Sequence, residues 1–399
     1  MLRFMTAGES HGKALVVTVE GVPSGLVVTK KEIQNELARR RLGYGRGPRM
    51  RFEADEIEIL SGVRHGRTLG SPIAIVIHNS EWERKWTEEM SPDPGVPSKV
   101  LTTPRPGHAD LAGMLKYGFT DARDVLERAS ARETAARVAA GAVFKLLLKE
   151  MGVTVLSHVV QIGEVSADTS HIPRPEDLES IDSSEVRCFD KTVEERMIAE
   201  IKAAAKVGDS LGGAAQVLAY GVPLGLGSHV HWDRKLDGLI GQALMSIQAV
   251  KAVAIGDAID VSRRRGSVGH DAIYWDESEM RYYRSTHRAG GVEGGISTGD
   301  LISATAWMKP LATLNRPSIE TIDVVTKEKA FSFKERTDVT AVPAMGVVAE
   351  HMMAFVLANE ALRKFGGDSM GEFKRNLSSF LATLGNSESS VGDRKLGDA

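Results

Sequence analysis

Apolar residues along this chain fall into short alternating or continuous runs, separated by glycine, proline and polar residues. Alternation with a period of two is typical of half-buried strands, and short continuous runs are typical of fully buried ones. Helical patterns fall between these runs, so strands and helices are expected to interleave. The runs predict strands at residues 14–19, 56–61, 73–78, 153–163, 215–220, 301–308 and 319–326.

The longest helical pattern follows a histidine loop. Pro106, Gly107 and His108 cannot continue a helix and predict a turn. Asp121 then suits an N-cap, and the helical pattern runs unbroken from there to Gly152. Many of its positions are alanine, so backbone or a flat ligand can approach closely. The N–H groups at its start also favour anions.

Three further helices have recognisable ends. Thr29 to Glu32 and Thr192 to Glu195 each fit a capping box. Pro343 suits the first turn of an apolar helix at 341–365, which ends at Gly366. That helix contains glutamate, histidine and asparagine, which predicts a buried helix of a soluble domain rather than a membrane span.

Two short motifs recur in the same order in two parts of the chain. GVPSGL at 21–26 matches GVPLGL at 221–226, and the glycine pattern at 62–73 matches the one at 291–302 without gaps. The repeat predicts related strand–helix–strand halves around a pseudo-twofold axis, with their glycine loops facing one cleft. We expect a single domain at 1–370, with halves at about 1–150 and 210–370, an insert at 151–209 and a flexible tail at 383–399.

Composition narrows the class of protein. The 399 residues, of which 42% are hydrophobic, can bury a substantial core, and the net charge of −3 argues against a generally nucleic-acid-binding surface. The single cysteine, Cys188, allows no intramolecular disulfide and no thiolate cluster for a metal. The N-terminus lacks a cationic flank followed by an apolar stretch, so we expect no signal peptide and a cytoplasmic protein.

Basic residues are concentrated in one segment. Six arginines lie between positions 39 and 51 with no acidic residue among them, and glycines alternate through the middle. Arginines at a helix end usually form a solvated face, but arginines on a glycine loop suit bidentate binding of a polyanion. RNA is an alternative polyanion, although Tyr44 is the only aromatic residue in this stretch.

Other motifs are weak when taken singly. Ser10 and His11, in GESHG, do not form a nucleophile–base pair by adjacency alone, and an exposed turn is the simpler interpretation. GVRHGRT at 62–68 lacks the ending of a phosphate-binding P-loop and favours a structural turn. GGVEGG at 290–295 precedes a strand rather than a helix, which disfavours a Rossmann site. Arg336 beside Asp338 is by itself typical of a surface ion pair.

Taken together, six motifs in order resemble the chorismate synthase family over residues 1 to about 367. They are GESHG at 8–12, GVRHGRTLGSPI at 62–73, RPGHADL at 105–111, ERASARET at 127–134, GGVEGGISTG at 290–299 and RTD at 336–338. The resemblance implies an α+β fold, a β-α-β sandwich with helices between antiparallel sheets, and a homotetramer. It also implies anti-1,4-elimination of phosphate from 5-enolpyruvylshikimate 3-phosphate, with reduced FMN required but no net redox change.

The resemblance also implies roles for particular residues. His11 is similar to the histidine that protonates the departing phosphate, His108 to the one beside flavin N1, and Asp338 to the carboxylate that relays a proton at flavin N5. Ser10 and Ser130 are the implied relay partners. The implied substrate ligands are Arg40, Arg46, Arg49, Arg132 and Arg336. The implied flavin contacts are Arg128, Ala129, Ser130, Gln248, Ala249, Gly294, Lys309, Pro310, Leu311, Ala312, Thr313 and Arg336, and no metal is implied.

The source of reduced flavin has two alternatives. A bifunctional family member reduces its own flavin with NADPH, whereas a monofunctional one depends on an external flavin reductase. No separate reductase segment is visible in the sequence, which favours the monofunctional form, with NADPH acting only indirectly.

Overall fold

The computed structural model describes residues 1–45, 55–278, 281–316, 319–333 and 337–385. Its strands are β1 Arg3–Ala7, β2 Ala14–Glu20, β3 Ile57–Ser61, β4 Val63–Arg64, β5 Arg67–Thr68, β6 Ile73–His78, β7 Thr154–Ile162, β8 Val165–Ser166, β9 Gly213–Tyr220, β10 Val250–Ile255, β11 Ile273–Asp276, β12 Arg281–Arg284, β13 Val292–Glu293, β14 Ile296–Ser297, β15 Ile302–Met308, β16 Glu320–Ile322 and β17 Lys329–Phe331. Its α-helices are α1 Lys30–Arg40, α2 Asp110–Tyr117, α3 Arg123–Ala129, α4 Thr134–Lys149, α5 Leu178–Ser183, α6 Lys191–Lys206, α7 Leu236–Met245, α8 Ala258–Ser262, α9 Gly266–Gly269, α10 Val342–Phe365 and α11 Met370–Gly385. The protein is therefore of the α+β class.

Two antiparallel sheets share one connectivity. The first sheet has the strand order β1-β2-β6-β3, and the second has the order β10-β15-β9-β7-β8. When the four long strands of each half are numbered along the chain, they lie side by side in the order first, second, fourth, third. These are β1, β2, β6 and β3 in the first half, and β7, β9, β15 and β10 in the second. A helix follows the second strand of each half (α1 or α7), and a long helix follows the fourth (α4 or α10). Strand β7 thus takes the place of β1, although it lies within the predicted insert at 151–209.

The two repeated motifs of each half pack against each other. In the first half, the Leu26 amide donates to Thr68 Oγ1 at 2.9 Å, and this hydroxyl donates to the Pro23 carbonyl at 2.6 Å. In the second half, the Leu226 amide donates to Ser297 Oγ at 2.8 Å, and this hydroxyl donates to the carbonyl of Pro223 at 2.7 Å. The two separate sequence matches therefore belong to one structural unit, which occurs in both halves.

The core lies around the long helices α4 and α10. Helix α4 packs on strands of the first sheet and α10 on β7 and β9 of the second, while the two helices contact each other. They approach so closely at Gly141 that a Cβ there would lie 2.3 Å from Cβ of His351. One hydrophobic cluster takes residues from both sheets and both helices. The small residues of α4 therefore serve helix packing.

Helix α10 is long and apolar enough to cross a membrane by length and composition. Of its most apolar window, 89% is buried inside the protein, as in the core helix of a folded domain. Pro343 lies in its first turn and Gly366 ends it, as predicted. The capping box at Thr29 is also confirmed, because Thr29 and Glu32 exchange side-chain and backbone hydrogen bonds.

Several sequence predictions of elements are wrong in detail. The helix expected from Asp121 to Gly152 is broken at Ser130, whose ψ of 141° is extended and whose hydroxyl accepts from the Arg132 amide. Serine side chains compete for backbone groups in this way and favour caps over helix interiors. The second capping box is replaced by Asp190, which accepts from the Thr192 amide.

The remaining differences concern strands and the C-terminus. Among strands of three or more residues, β1, β10, β11, β12 and β17 had no predicted counterpart, and the strand expected at 319–326 is limited to the short β16. GVRHGRT forms the β4–β5 hairpin, which confirms the turn interpretation. Helix α11 continues to Gly385, beyond the predicted start of the tail at Thr383, and the rest of the tail lies outside the described residues.

Candidate functional site

His11 is held by a glutamate from helix α3. The loop between β1 and β2 places His11 so that its amide donates to Glu127 Oε2 at 2.9 Å and its Nδ1 lies 2.9 Å from Glu127 Oε1. The Glu127 side chain is 2% exposed and that of His11 14%. Burial raises the pKa of the Glu127 carboxyl, but the hydrogen bonds from His11 and the charge of Arg123 outweigh burial and hold the pKa below its usual range.

An aromatic ring and an arginine also lie beside His11 and Glu127. Trp86, in a π-helical turn at Trp82–Trp86, stacks on the imidazole with ring centroids 4.0 Å apart. The Arg123 guanidinium lies 5.3 Å from the centre of the same indole and donates to Glu127 Oε1 at 3.0 Å. The imidazole plane is therefore fixed by stacking as well as by hydrogen bonds. We call His11, Trp86, Arg123 and Glu127 the His11 cluster.

The break in the predicted helix brings two serines together. The Ser10 amide donates to the Glu127 carbonyl at 2.9 Å, and Ser130 Oγ donates to Ser10 Oγ at 3.2 Å. Ser130 lies between α3 and the short turn that precedes α4, and its side chain contacts Ser10 from this position. The helix break therefore joins ERASARET to GESHG, which the sequence alone had left as separate motifs.

Two of the predicted substrate arginines share one carboxylate. Arg132 Nη1 donates to Asp55 Oδ1 at 2.5 Å, and Arg40 Nη2 donates to Asp55 Oδ2 at 3.3 Å. Burial raises the pKa of the Asp55 carboxyl, but the charges of Arg132 and Arg40 outweigh it and lower the pKa. Asp55 therefore offsets part of the positive charge that Arg40 and Arg132 bring together. Asn79 accepts from Arg132 Nε at 3.2 Å and steadies this group.

The second histidine belongs to a separate set of contacts at the start of α2. His108 Nδ1 lies 2.5 Å from Asp110 Oδ1, and Arg105 Nε donates to Asp110 Oδ2 at 2.8 Å. Arg105 Nη1 also donates to Thr313 Oγ1 at 2.8 Å, and Lys309 Nζ donates to the Gly107 carbonyl at 2.7 Å. The RPGHADL loop thus meets the predicted flavin-contacting segment. We call Arg105, His108, Asp110, Lys309 and Thr313 the His108 cluster.

Two groups of the His108 cluster have shifted pKa values. Burial raises the pKa of the Asp110 carboxyl, but hydrogen bonds from His108 and Arg105 outweigh burial and hold the pKa well below its usual range. Burial and the nearby Lys251 lower the pKa of the Lys309 ammonium. Asp110 is therefore a permanent anion at neutral pH.

Other predicted flavin contacts lie at the ends of β10 and β15. The Lys309 amide donates to the Ala249 carbonyl at 2.9 Å, and Ala249 has a φ of +67°. Gln248 Nε2 donates to Glu133 Oε2 at 3.0 Å, while Gln248 Oε1 is buried and accepts no hydrogen bond from the described residues. Arg128 donates to the Gly8 carbonyl at 3.1 Å.

Gly294 lies in the turn between β13 and β14, where nothing lies within 4 Å of the position a Cβ would take. This turn leaves room for close approach by another molecule.

Short contacts link the neighbourhood of Asp338 to the arginine loop and to the flavin segment. The amide of Val339 donates to the Gly45 carbonyl at 2.8 Å, and the Leu211 amide donates to the Val339 carbonyl at 2.8 Å. Ser210 Oγ donates to the Leu311 carbonyl at 2.8 Å. Asp338 therefore lies one residue from a contact with the start of the loop. Arg46, Arg49 and Arg336 lie outside the described residues.

Sequence reasoning missed the acidic partners of both histidines. Glu127 and Asp110 lie within ERASARET and RPGHADL, so the motifs contained them, but only the fold shows that each reaches a histidine. Asp55 and Trp86 had no signal in the sequence beyond their nearness to the arginine loop and to tryptophan-rich residues 82–86. Among the described residues, no group of three or more histidine, cysteine, aspartate or glutamate side chains could hold a metal ion.

Comparison with known proteins gives a consistent family. The family model described as chorismate synthase matches residues 2–362. The chorismate synthase of Salinispora tropica is 57% identical over 393 residues, covering 96% of this chain and 99% of that protein. The chorismate synthase of Saccharopolyspora erythraea is 55% identical and covers 96% of this chain and 98% of its own length. A solved structure, the crystal structure of a chorismate synthase, is similar with a TM-score of 0.78, 41% identity and coverage of 96% of this chain and 98% of that one.

Proposed function

Because this chain belongs to the chorismate synthase family, and is therefore a lyase that acts on a small-molecule substrate, we propose that the His11 and His108 clusters carry its reaction. The reaction is the anti-1,4-elimination of phosphate from 5-enolpyruvylshikimate 3-phosphate to give chorismate, the last step of the shikimate pathway and a step in the biosynthesis of aromatic amino acids. What remains to be assigned is how individual residues perform it.

The observation that carries the assignment is a set of contacts between sequence motifs that lie far apart along the chain. GESHG meets ERASARET through the contacts of Ser10 and His11, and RPGHADL meets the 309–313 segment through Arg105. Val339, the residue after the RTD motif, donates its amide hydrogen bond to Gly45 at the start of the arginine loop. Contacts between these distant motifs are expected if the motifs serve one site, and they support the proposal.

The arginines supply the charge that this substrate requires. It has two carboxylates and a phosphate of about −1.5 to −2. Arg40, Arg132 and the three arginines outside the described residues, Arg46, Arg49 and Arg336, are the proposed ligands. Asp55 keeps Arg40 and Arg132 side by side, so their donors are already oriented before the substrate binds.

His11 is the proposed donor of a proton to the departing phosphate. An imidazole titrates near neutral pH and can therefore give up a proton under physiological conditions. Ser10 and Ser130, whose hydroxyls are hydrogen-bonded to each other, are proposed to relay protons next to it. The buried partner Glu127 keeps the ring in place while the proton moves.

The family uses a reduced flavin, which we propose to be FMN in this protein. Gln248 offers a buried carbonyl oxygen that accepts nothing from the described residues, which fits an N–H group of a flavin ring. Arg128 and Lys309 are cations that fit its phosphate and anionic ring, and Ala129, Ser130, Ala249, Gly294, Pro310, Leu311, Ala312, Thr313 and Arg336 are the remaining proposed contacts. Bound reduced flavin supplies electron density while the C–O bond to phosphate breaks.

His108 and Asp338 are proposed to manage protons beside that flavin. His108 is held by Asp110, and its neighbours Arg105 and Gly107 contact the 309–313 segment, so His108 is proposed to keep a proton next to flavin N1. Asp338 is proposed to hold a proton at flavin N5. Both residues would act on the cofactor, and neither would touch the departing phosphate.

The wider setting is proposed from the same resemblance. We propose a β-α-β sandwich, supported by the contacts of α4 and α10 with the two sheets. We also propose a homotetramer, a cytoplasmic location and the monofunctional type, in which an external flavin reductase uses NADPH to supply reduced flavin.

The deciding experiment is anaerobic turnover of 5-enolpyruvylshikimate 3-phosphate. Chorismate should form with dithionite-reduced FMN and should not form with oxidised FMN. Replacing dithionite with NADPH should give no chorismate unless a flavin reductase is added. Formation of chorismate with oxidised FMN would contradict the proposed cofactor state, and formation with NADPH alone would contradict the monofunctional type.

A further inference from the structure

We propose that Glu127 and Asp110 are positioning residues, each of which holds one active-site histidine through Nδ1 and leaves its Nε2 as the nitrogen for proton transfer. The inference rests on the proposed function for the roles of His11 and His108. It goes beyond the holding contacts named there, because it assigns the tautomer of each ring and the ring nitrogen through which each histidine acts.

The Glu127 carboxylate is satisfied by donors on both oxygens. Oε2 accepts the His11 amide at 2.9 Å, and Oε1 accepts Arg123 Nη1 at 3.0 Å. His11 Nδ1 lies 2.9 Å from Oε1 and 3.1 Å from Oε2. An ionised carboxylate has no proton to give, so the ring nitrogen facing it must be an N–H donor. The geometry therefore selects the Nδ1–H tautomer of neutral His11.

Asp110 has the same arrangement around His108. Oδ2 accepts the Arg105 amide at 3.1 Å and Arg105 Nε at 2.8 Å. Oδ1 accepts Arg105 Nη2 at 3.1 Å and lies 2.5 Å from His108 Nδ1. Arg105 Nη2 can only donate, and it lies 3.1 Å from Nδ1 and 3.5 Å from Nε2 of His108, so a proton on Nδ1 must point to Asp110 while Nε2 stays the accepting nitrogen.

Each buried anion should do two things for its histidine. It fixes the orientation and tautomer of the ring, and it stabilises the imidazolium, as the carboxylate does in carboxylate–histidine pairs of other enzymes. The arginine of each cluster weakens the stabilisation of the imidazolium, because Arg123 and Arg105 neutralise part of the carboxylate charge. In the described part of the chain, the charged groups at His11 include Glu127 and Arg123, with Glu89 3.7 Å from Arg123. Those at His108 include Asp110, Arg105 and Lys309.

The simpler alternative is that both carboxylates only stabilise the fold. The two interpretations differ in what happens to the histidine when the carboxylate becomes a neutral amide of the same shape. If the carboxylate only stabilises the fold, its replacement lowers the free energy of unfolding but does not change the titration of the histidine that it contacts. A positioning role changes that histidine and leaves the other one unchanged.

The experiment is pH-dependent hydrogen–deuterium exchange at the C2 position of each histidine, read by mass spectrometry of peptides. It uses the full chain without substrate or flavin. Glu127→Gln should move the midpoint of exchange at His11 to lower pH and leave His108 unchanged. Asp110→Asn should do the reverse. Arg123→Met should move the midpoint at His11 to higher pH, so the inference stays testable if Glu127→Gln does not fold.

A matched control is available on helix α10. Glu360 is also a buried glutamate that accepts hydrogen bonds from a backbone amide, that of Gly227, and from an arginine, Arg363, but it contacts no histidine among the described residues. Glu360→Gln should leave exchange at His11 and His108 unchanged. An unchanged His11 in both Glu127→Gln and Arg123→Met, or an equal shift in Glu360→Gln, would overturn the inference.

Turnover provides the second measurement. Glu127→Gln should lower kcat by about 10- to 100-fold with little change in KM, the range typical of residues that orient an active group. Glu127→Asp restores the charge and should recover part of kcat. The exchange experiment does not depend on turnover, so the two proposals can fail independently. If the unmodified protein forms no chorismate, the proposed function is refuted, and the exchange midpoints still test the two carboxylate–histidine contacts.

Discussion

At the scale of single residues, His108 and Asp338 should separate catalysis from binding. Both are proposed to act on protons of the flavin, so His108→Ala and Asp338→Ala should lose most of kcat yet still bind FMN and substrate. Anaerobic turnover with reduced FMN, combined with equilibrium binding of FMN, checks this expectation. Normal turnover in either variant would remove that residue from the mechanism.

Arg49 should show the opposite pattern. It is proposed to bind an anionic group of the substrate, and a charge-assisted hydrogen bond of this kind contributes about 1.5–3 kcal/mol. Arg49→Ala should therefore raise KM by about ten-fold or more. The same turnover assay measures it, and an unchanged KM and kcat would place Arg49 outside the site.

His158 should make the fold sensitive to acid. It lies on β7 with its Nε2 2.9 Å from Gln216 Oε1, and burial lowers its pKa to about 4. An unfolded histidine titrates near 6.5, so between about pH 6.5 and 4 the unfolded chain binds the extra proton. The contribution of neutral His158 to the free energy of unfolding is fully present above pH 6.5 and falls as the pH drops. Its loss reaches roughly 3 kcal/mol near pH 4.

The variant His158→Asn should flatten this pH dependence. Asparagine can still donate to Gln216 but does not titrate, so the slope of unfolding free energy between about pH 6.5 and 4 should fall by about one proton. Urea unfolding at several pH values measures the slope. His231→Asn is the control because the His231 side chain is 59% exposed, and an equal change there would contradict the assignment to burial.

The candidate residues that sequence could identify are those whose chemistry is visible in a motif. His11, His108 and Ser130 stand in short glycine- or arginine-rich stretches, and the structure places each in a polar cluster. Glu127 and Asp55 could not be assigned from sequence, because a buried carboxylate is recognised only by the cations and amides around it. Those partners come from distant segments, as Asp55 with Arg132 shows.

At the scale of elements, the crossing of α4 and α10 depends on a glycine. A Cβ at Gly141 would lie 2.3 Å from Cβ of the buried His351, so Gly141→Ala must push the helices apart. Overpacking of this kind costs about 1–3 kcal/mol or more. Gly241, inside helix α7, has nothing within 4 Å of its Cβ position and is the matched control.

Gly241→Ala should stabilise the protein by about 0.5–1 kcal/mol, because alanine is the better helix former and meets no neighbour. The two substitutions are chemically identical, so opposite signs in urea unfolding at one protein concentration would isolate the packing contribution. Destabilisation of similar size in both variants would show that the close approach at Gly141 is relaxed in solution.

The sequence predicted where the main helices and most long strands lie, but not where a helix is broken. The periodicity of 134–149 and 342–365 is strong enough to identify both central helices, while Ser130 gives no periodic signal that the helix stops there. Strand β1 was missed because it is a short edge strand whose residues are mostly exposed. Asp190 is the N-cap instead of Thr192 because its Oδ1 accepts from the Thr192 amide at 2.9 Å, a choice that local spacing alone does not decide.

At the scale of the whole molecule, the common connectivity of the two sheets supports the proposal of a pseudo-repeat. Each half has the same strand order, and the motif pairs at 21–26 with 62–73 and at 221–226 with 291–302 make the same contacts. The halves differ where function is expected. The first half has the GESHG loop between β1 and β2, and the second has a long segment with α5 and α6 between β7 and β9. Superposition of the two halves tests the proposal.

The matching hydroxyls allow an energetic test of the repeat. Thr68 and Ser297 are 3% and 1% exposed, and each bridges a leucine amide and a proline carbonyl in its half. Thr68→Val and Ser297→Ala should each cost about 1–3 kcal/mol, because the leucine amide and the proline carbonyl lose a buried partner. The costs should be alike, because the local contacts are alike.

Combining Thr68→Val with Ser297→Ala tests whether the two halves contribute independently to the free energy of unfolding. If the two units share no partner, the cost of Thr68→Val with Ser297→Ala should equal the sum of the single costs within about 0.5 kcal/mol. Urea unfolding at one fixed protein concentration measures all three, since assembly would otherwise alter apparent stability. A large cost at one site and none at the other would show that the equivalent hydrogen bonds do not mark equivalent units, and the pseudo-repeat would then be a resemblance of topology alone.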